Sequence, residues 1–119
     1  MIRSHLSAAV VILAIALAAG AALAHSKKAV TLPADGALLQ SSPKTISMAF
    51  NKLMRVTFIA LSDETGDKHH LTRTDNMQPL TEFNAMPADL PVGHYTIEWR
   101  GLASDGHPMS GQFSFEIKG

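Results

Sequence analysis

From Ile46 onward the apolar residues of this chain recur at every second position, and that period constrains its fold more than any other feature. Ile46, Met48 and Phe50 form one such trio, Tyr95, Ile97 and Trp99 a second, and Phe113, Phe115 and Ile117 a third. Successive side chains of a strand point to opposite faces, so each trio falls on one face of a sheet. A further run, Val56-Thr57-Phe58-Ile59-Ala60-Leu61, is apolar at both parities and suits a strand between two layers. Weaker strand candidates are Ala29–Leu32, Lys68–Arg73 and Leu80–Ala85. Turn-forming residues separate them: Pro33-Ala34-Asp35-Gly36, Ser41-Ser42-Pro43, Asp63-Glu64-Thr65-Gly66, Pro87 to Gly93, and Ser104 to Pro108. No window after Ala24 carries a 3.6-residue period. About seven short strands predict an all-β domain, a β-sandwich or Greek-key barrel of immunoglobulin-like type. The 119 residues suffice for one such domain.

The first 24 residues read differently. Arg3 supplies a positive start, an apolar run extends from Ala8 to Ala24, and Ala22-Leu23-Ala24 places small residues at −3 and −1 of a cleavage site. This is the layout of a secretory signal peptide. A membrane anchor is the competing reading. The run is 17 residues long and rich in Ala and Gly, near the lower limit for crossing about 30 Å of hydrocarbon. Residues 1–24 are therefore expected to be removed, leaving an exported domain of residues 25–119 with no stable membrane insertion. The leader also accounts for much of the 46% hydrophobic content.

Charge and cysteine usage exclude several chemistries. Ten basic and ten acidic residues give formal net charge zero, which is no footprint for nucleic acid. With no cysteine there is no disulfide framework, thiolate zinc site, iron–sulfur cluster or blue-copper site.

Processing after Ala24 would make His25 the amino terminus. Its α-amine and imidazole Nδ1 can then chelate one metal ion, since amines titrate near 7.7–8.0 and imidazoles near 6.5. The best partners are Asp105 and His107, in Ser104-Asp105-Gly106-His107-Pro108, where residues two apart project to the same side of an extended segment. His25, Asp105 and His107 together would offer three nitrogens and one oxygen. Such a set favours Cu(II), with Zn(II) as the rival ion. Other candidates carry less. Asp-Gly is also a common turn. Met77, Met86, His69 and His70 could supply soft or imidazole donors for a Cu(I) site, but thioethers without a close cluster more often serve packing. Met48 and Met54 read as core. His94 reads as a surface residue, and His69-His70 as a solvated edge.

Two blocks carry a family resemblance. His25-Ser26-Lys27-Lys28-Ala29-Val30 leading to Pro33-Ala34-Asp35-Gly36 is similar to the start of mature CopC-type periplasmic copper-binding proteins. Leu90-Pro91-Val92-Gly93-His94-Tyr95-Thr96-Ile97-Glu98-Trp99-Arg100, followed by Ser104-Asp105-Gly106-His107-Pro108-Met109-Ser110-Gly111 and Phe113-Ser114-Phe115, resembles the G-x-Y-x-x-x-W-R and D-G-H-P-x-x-G-x-F-x-F signature of that family. The resemblance implies a cupredoxin-like barrel that holds Cu(II) through His25, Asp105 and His107. It also implies a partner, an inner-membrane CopD-type copper-transport protein. There are two departures. The family often places Phe-Ser-Glu where this chain has Phe50-Asn51-Lys52, so a cation replaces an acidic neighbour of the copper. Some members carry a methionine-rich Cu(I) loop, where this chain offers only Met77 and Met86.

No nucleophilic triad, phosphate loop or paired-carboxylate motif is present, so no enzyme is expected. The seven aromatics fall mostly on core positions, which leaves no aromatic substrate face of the kind copper monooxygenases need. The expected function is a periplasmic copper(II) carrier or buffer in copper homeostasis and resistance. The alternative is a metal-free immunoglobulin-like accessory module that binds a membrane partner.

Overall fold

The computed structural model describes residues 29–119, and the leader and His25 lie outside the described residues. Among those described there is no helix. Eight strands follow one another: β1 (Val30–Leu32), β2 (Ala37–Leu39), β3 (Ile46–Asp63), β4 (Lys68–His69), β5 (Leu71–Arg73), β6 (Leu80–Pro87), β7 (Gly93–Ala103) and β8 (Pro108–Ile117).

The architecture turns on β3. Two expected strands, around Ile46–Phe50 and Val56–Leu61, are one 18-residue strand, because no glycine or proline stands between them to end it. Its first half pairs with β1 and β6, and its second half with β4 and β7. The strand order β2-β8-β7-β3-β6-β5 therefore curls into two layers that share β3. Two irregularities make the bend possible. Ala49 pairs with Glu82 but Met54 pairs with Leu80, so β3 carries three more residues than β6 across this gap. Asn51, Lys52 and Leu53 stand exposed there. Further on, Val56 pairs with Gly101 and Phe58 with Arg100, leaving Thr57 as a bulge.

A one-residue slip exchanges the two faces of a strand. Before Thr57, the even-numbered Ile46, Met48, Phe50, Met54 and Val56 are buried; after it, Leu61 is. This explains why Val56–Leu61 looked apolar at both parities. The segment is not buried on both faces: Phe58 is half-buried, with the Arg100 guanidinium 4.6 Å above its ring.

The three alternating trios meet in a single core with Phe83, Ala85 and Leu90, and Trp99 packs edge-on against Phe50 at 5.3 Å. Each large side chain buried in this way stabilises the fold by about 1.5–3 kcal/mol. Met48 and Met54 belong to this core, as expected. Two short segments depart from expectation. The candidate Lys68–Arg73 divides at His70, with β4 on the end of β3 and β5 on β6, so it crosses between layers. Strand β2 has no alternation to announce it. It runs parallel to β8, tied by Gly36 N–H to Ser114 O (2.7 Å), Ser114 N–H to the Asp35 carboxylate (3.0 Å) and Lys118 N–H to Leu39 O (2.8 Å).

Candidate metal centre

Strands β7 and β8 form a long hairpin, paired without a break from Gly93 opposite Ile117 to Leu102 opposite Pro108. Its tip is a tight turn. Gly106 N–H donates to Ala103 O at 2.9 Å, and Ala103 N–H donates to His107 O at 2.9 Å. Gly106 has φ +87°, a left-handed conformation that costs a residue with a Cβ roughly 1–2 kcal/mol. This three-residue loop with a left-handed glycine is a recurrent hairpin closure. It turns Asp105 and His107 toward each other.

The Asp105 carboxylate accepts twice from His107: from its backbone N–H at 3.2 Å and from its ring Nδ1 at 2.8 Å. An ionised carboxylate only accepts, so Nδ1 carries the proton and Nε2 keeps its lone pair. The side chains are 52% and 76% exposed, so this pair is open to solvent. The hydrogen bonds from His107 hold the Asp105 carboxyl below the usual carboxylate range, and the Lys52 ammonium adds attraction of the same sign. Lys52 comes close because Met54 pairs with Ala103, which sets the exposed Asn51–Leu53 triplet beside the tip. Leu53, Arg55, Pro79, Leu102, Ala103, Ser104 and Gly106 together line a shallow hollow of about 230 Å³ at that place.

Of the three site residues expected from sequence, the fold brings Asp105 and His107 together, and His25 lies outside the described residues. Strand β1 bears on the third. Val30 is opposite Ala49 and Leu32 opposite Ser47, so β1 followed backwards advances along β3 toward Lys52 and the tip. Among the described residues no group of three or more His, Cys, Asp or Glu side chains could hold a metal ion.

The other candidates are dispersed. Met77 lies in the turn before β6 and Met86 near its far end, six strand residues past Leu80 and so roughly 20 Å along it. His69 is not on a solvated edge. Its Nε2 lies 2.9 Å from the Asp63 carboxylate and its ring stands edge-on to Tyr95 at 5.5 Å. His70 does face solvent, with Nε2 3.4 Å from the Thr72 hydroxyl. His94 is a surface residue, 3.6 Å from Glu116. Sequence reasoning missed Asp63, which accepts from Thr65 and Asp67 as well as from His69 and is thereby held well below the usual carboxylate range. Its position in a turn four residues before Asp67 was the available signal.

Most of the remaining signature residues are accounted for by packing. Tyr95 is buried and donates its hydroxyl to Pro91 O at 2.6 Å, closing the turn into β7. Trp99, Phe113 and Phe115 are core, and Asp35 straps the β2 turn to β8. Asp105 and His107 are instead exposed at the hairpin tip and hydrogen-bonded to each other.

Residues 29–118 match the family model described as the CopC domain, a span that includes Asp105 and His107. Copper resistance protein C of Xanthomonas campestris pv. juglandis is 30% identical over 92% of both chains. Copper transport protein CutJ of Bacillus subtilis is 29% identical over 79% of this chain, which spans only 18% of that longer protein. The crystal structure of CopC from Methylosinus trichosporium OB3b superposes with a TM-score of 0.63 at 24% identity, covering 74% of this chain and 88% of that one. PcoC, a methionine-rich copper resistance protein from Escherichia coli, does so with a TM-score of 0.59 at 21% identity, covering 74% and 93%. The β-sandwich is thus the cupredoxin-like fold of these structures, and the chain belongs to the CopC domain family.

Proposed function

We propose that this protein is a periplasmic Cu(II)-binding protein that buffers or carries copper, with a site made of His25, Asp105 and His107. The observation that carries this reading is the exposed Asp105–His107 pair at the tip of a rigid hairpin, which the fold itself does not use. Relatives named for copper resistance and copper transport support the choice of ion. His107 offers the Nε2 lone pair, and Asp105 keeps acceptor positions beyond those taken by His107. The amine and imidazole of His25 would complete a nitrogen-rich set suited to Cu(II) ahead of Zn(II). His25 stands five residues before Val30, a contour of up to about 17 Å, and β1 is directed toward the tip. Removal of residues 1–24 creates the α-amine on which this chelate depends.

An exposed nitrogen and oxygen site without thiolate suits holding and passing on an ion rather than catalysis. The recipient or donor we propose is an inner-membrane copper-transport protein of CopD type. The longer CutJ supports it, since there a domain like this one is part of a copper transport protein.

The test is a Cu(II) titration of processed protein whose amino terminus is verified by mass, with Zn(II) competition. One equivalent of copper with a nitrogen-rich electron paramagnetic resonance spectrum is expected. Asp105→Ala and His107→Ala should each weaken binding at least tenfold at unchanged melting temperature, and an extra Met before His25 should do the same. Absence of stoichiometric uptake would leave the metal-free accessory module as the better reading.

A further inference from the structure

At the base of the β7–β8 hairpin, the end opposite the tip, a histidine and a carboxylate face each other without a hydrogen bond. His94 and Glu116 are directly opposite residues of the ladder, so their side chains leave the same face of the sheet. His94 Nε2 lies 3.6 Å from Glu116 Oε2, and the two side chains are 68% and 27% exposed. That separation is too long for a hydrogen bond. It is close to the ~3.3–3.4 Å between two donors on one tetrahedral Zn(II), given metal–ligand bonds of about 2.0–2.1 Å. A square array would need the donors nearer, at ~2.9 Å. Among the described residues His94 is the one ion-pair partner of Glu116, and Lys118, two residues further on, makes no ion pair with it.

The surroundings suit a shared ion. The His94 backbone is fixed, because its N–H donates at 2.9 Å to the Glu64 carboxylate, which lies over Gly93 where a Cβ would stand 2.9 Å from it. Thr96 and Ser114, the next pair on this face, are small and hydrogen-bonded to each other at 3.2 Å, so the sheet stands low beside the pair. Leu38, opposite Glu116 on β2, and Val92, two residues before His94, are 62% and 65% exposed. One chain supplies two donors here, and among the described residues no cluster supplies three. Tetrahedral Zn(II) takes four.

We propose that His94 and Glu116 are half of a Zn(II) site completed by a second copy of this chain, with the ion on the two-fold axis of the dimer. Two imidazole nitrogens and two carboxylate oxygens then make the tetrahedron, and the two carboxylates neutralise the ion. A two-fold interface presents the same patch from both sides, so the exposed Leu38 and Val92 are covered by the same contact that closes the site. The inference is independent of the copper site proposed above. Leu102, where the hairpin tip begins, is eight residues along β7 from His94, which sets the two places roughly 25 Å apart.

The experiment is sedimentation velocity of processed protein carrying His107→Ala, so that the tip does not compete for zinc. The protein is run in a chelator and then with Zn(II) added stepwise to two equivalents per chain. It should be a monomer in the chelator and a dimer with zinc, the change being complete at half an equivalent per chain and reversed by chelator. Co(II) in place of zinc should give the intense visible absorption of four-coordinate cobalt. In the same background His94→Gln and Glu116→Gln should each weaken the zinc-dependent association by about tenfold or more. Their melting temperatures in chelator should not change, because both side chains are exposed and outside the core. A protein that stays monomeric with zinc, takes up one zinc per chain without associating, or dimerises equally in chelator or with His94→Gln overturns the inference. The copper titration of wild type stands or fails separately from all of these results.

Discussion

Replacing Gly111 by Ala is the substitution whose cost can be worked most directly from the structure. Gly111 lies opposite Trp99 in the β7–β8 ladder. A Cβ built at Gly111 would stand 2.5 Å from Trp99 Nε1, 2.8 Å from Cε2 and 2.9 Å from Cζ2. Carbon in ordinary contact needs about 3.5 Å or more, so the indole must retreat by ~1 Å. It has little room to do so, being 2% exposed with Phe50 edge-on at 5.3 Å. Overpacking a close-packed core costs about 1–3 kcal/mol, and a rigid ring wedged between a strand and another ring belongs in the upper half of that range. At about 4–8 °C per kcal/mol for a domain of this size, Gly111→Ala should lower Tm by roughly 10–20 °C. Circular dichroism melts measure this, and fluorescence reports the cause, because Trp99 is the sole tryptophan of the chain. A shift of its emission should accompany the lost stability. Repeating the substitution in a Trp99→Phe background isolates the clash. With the larger ring gone, Gly111→Ala should cost less than half as much. An equal penalty in both backgrounds, or a Tm within 2 °C of wild type, would refute the steric argument.

Three further expectations concern other parts of the fold. Asn76 and Met77 both have positive φ, 52° and 59°, in a turn closed by Gln78 N–H to Asp75 O at 3.0 Å, so Met77→Gly should raise stability by about 1 kcal/mol in a urea melt by removing a Cβ from a left-handed position. Arg73 binds Asp75 through two nitrogens, donates to Val56 O at 2.6 Å and lies 5.0 Å over the Phe83 ring. Because the Asp75 side chain is only 3% exposed, Arg73→Met should cost about 2–3 kcal/mol, and adding Asp75→Asn should recover part of it by removing the unpaired charge. Asp63 titrates below its ordinary value of 3.8, so the stability it contributes is fully present above that pH and is lost as pH falls through the folded value. The Tm gap between wild type and Asp63→Asn should accordingly be widest at pH 7 and narrow progressively as the pH falls below about 4, whereas a constant gap would mean that the carboxylate charge is not what stabilises the turn.

What could be read along the chain is what depends on near neighbours. Alternation assigned the faces of the three trios correctly, because side-chain direction on a strand repeats every two residues wherever the strand lies in the sheet. Asp105 and His107 were legible as a pair for a similar reason: both sit in one turn, and Gly106 between them supplies the backbone conformation that turns them together. Packing, by contrast, decided whatever depends on which strand lies beside which. Nothing between Phe50 and Val56 announced that two expected strands are one, or that the three residues shed by β3 would carry Lys52 to the hairpin tip. That proximity joins residues more than fifty positions apart, and it exists because Met54 pairs with Ala103. The same pairing logic gave His69 its partner Asp63 and put Met77 and Met86 at different ends of β6. Residue types and their local spacing therefore determined the fold class and the Asp105–His107 pair. Strand register, which depends on the bulges that reset each face, decided the electrostatic surroundings of that pair.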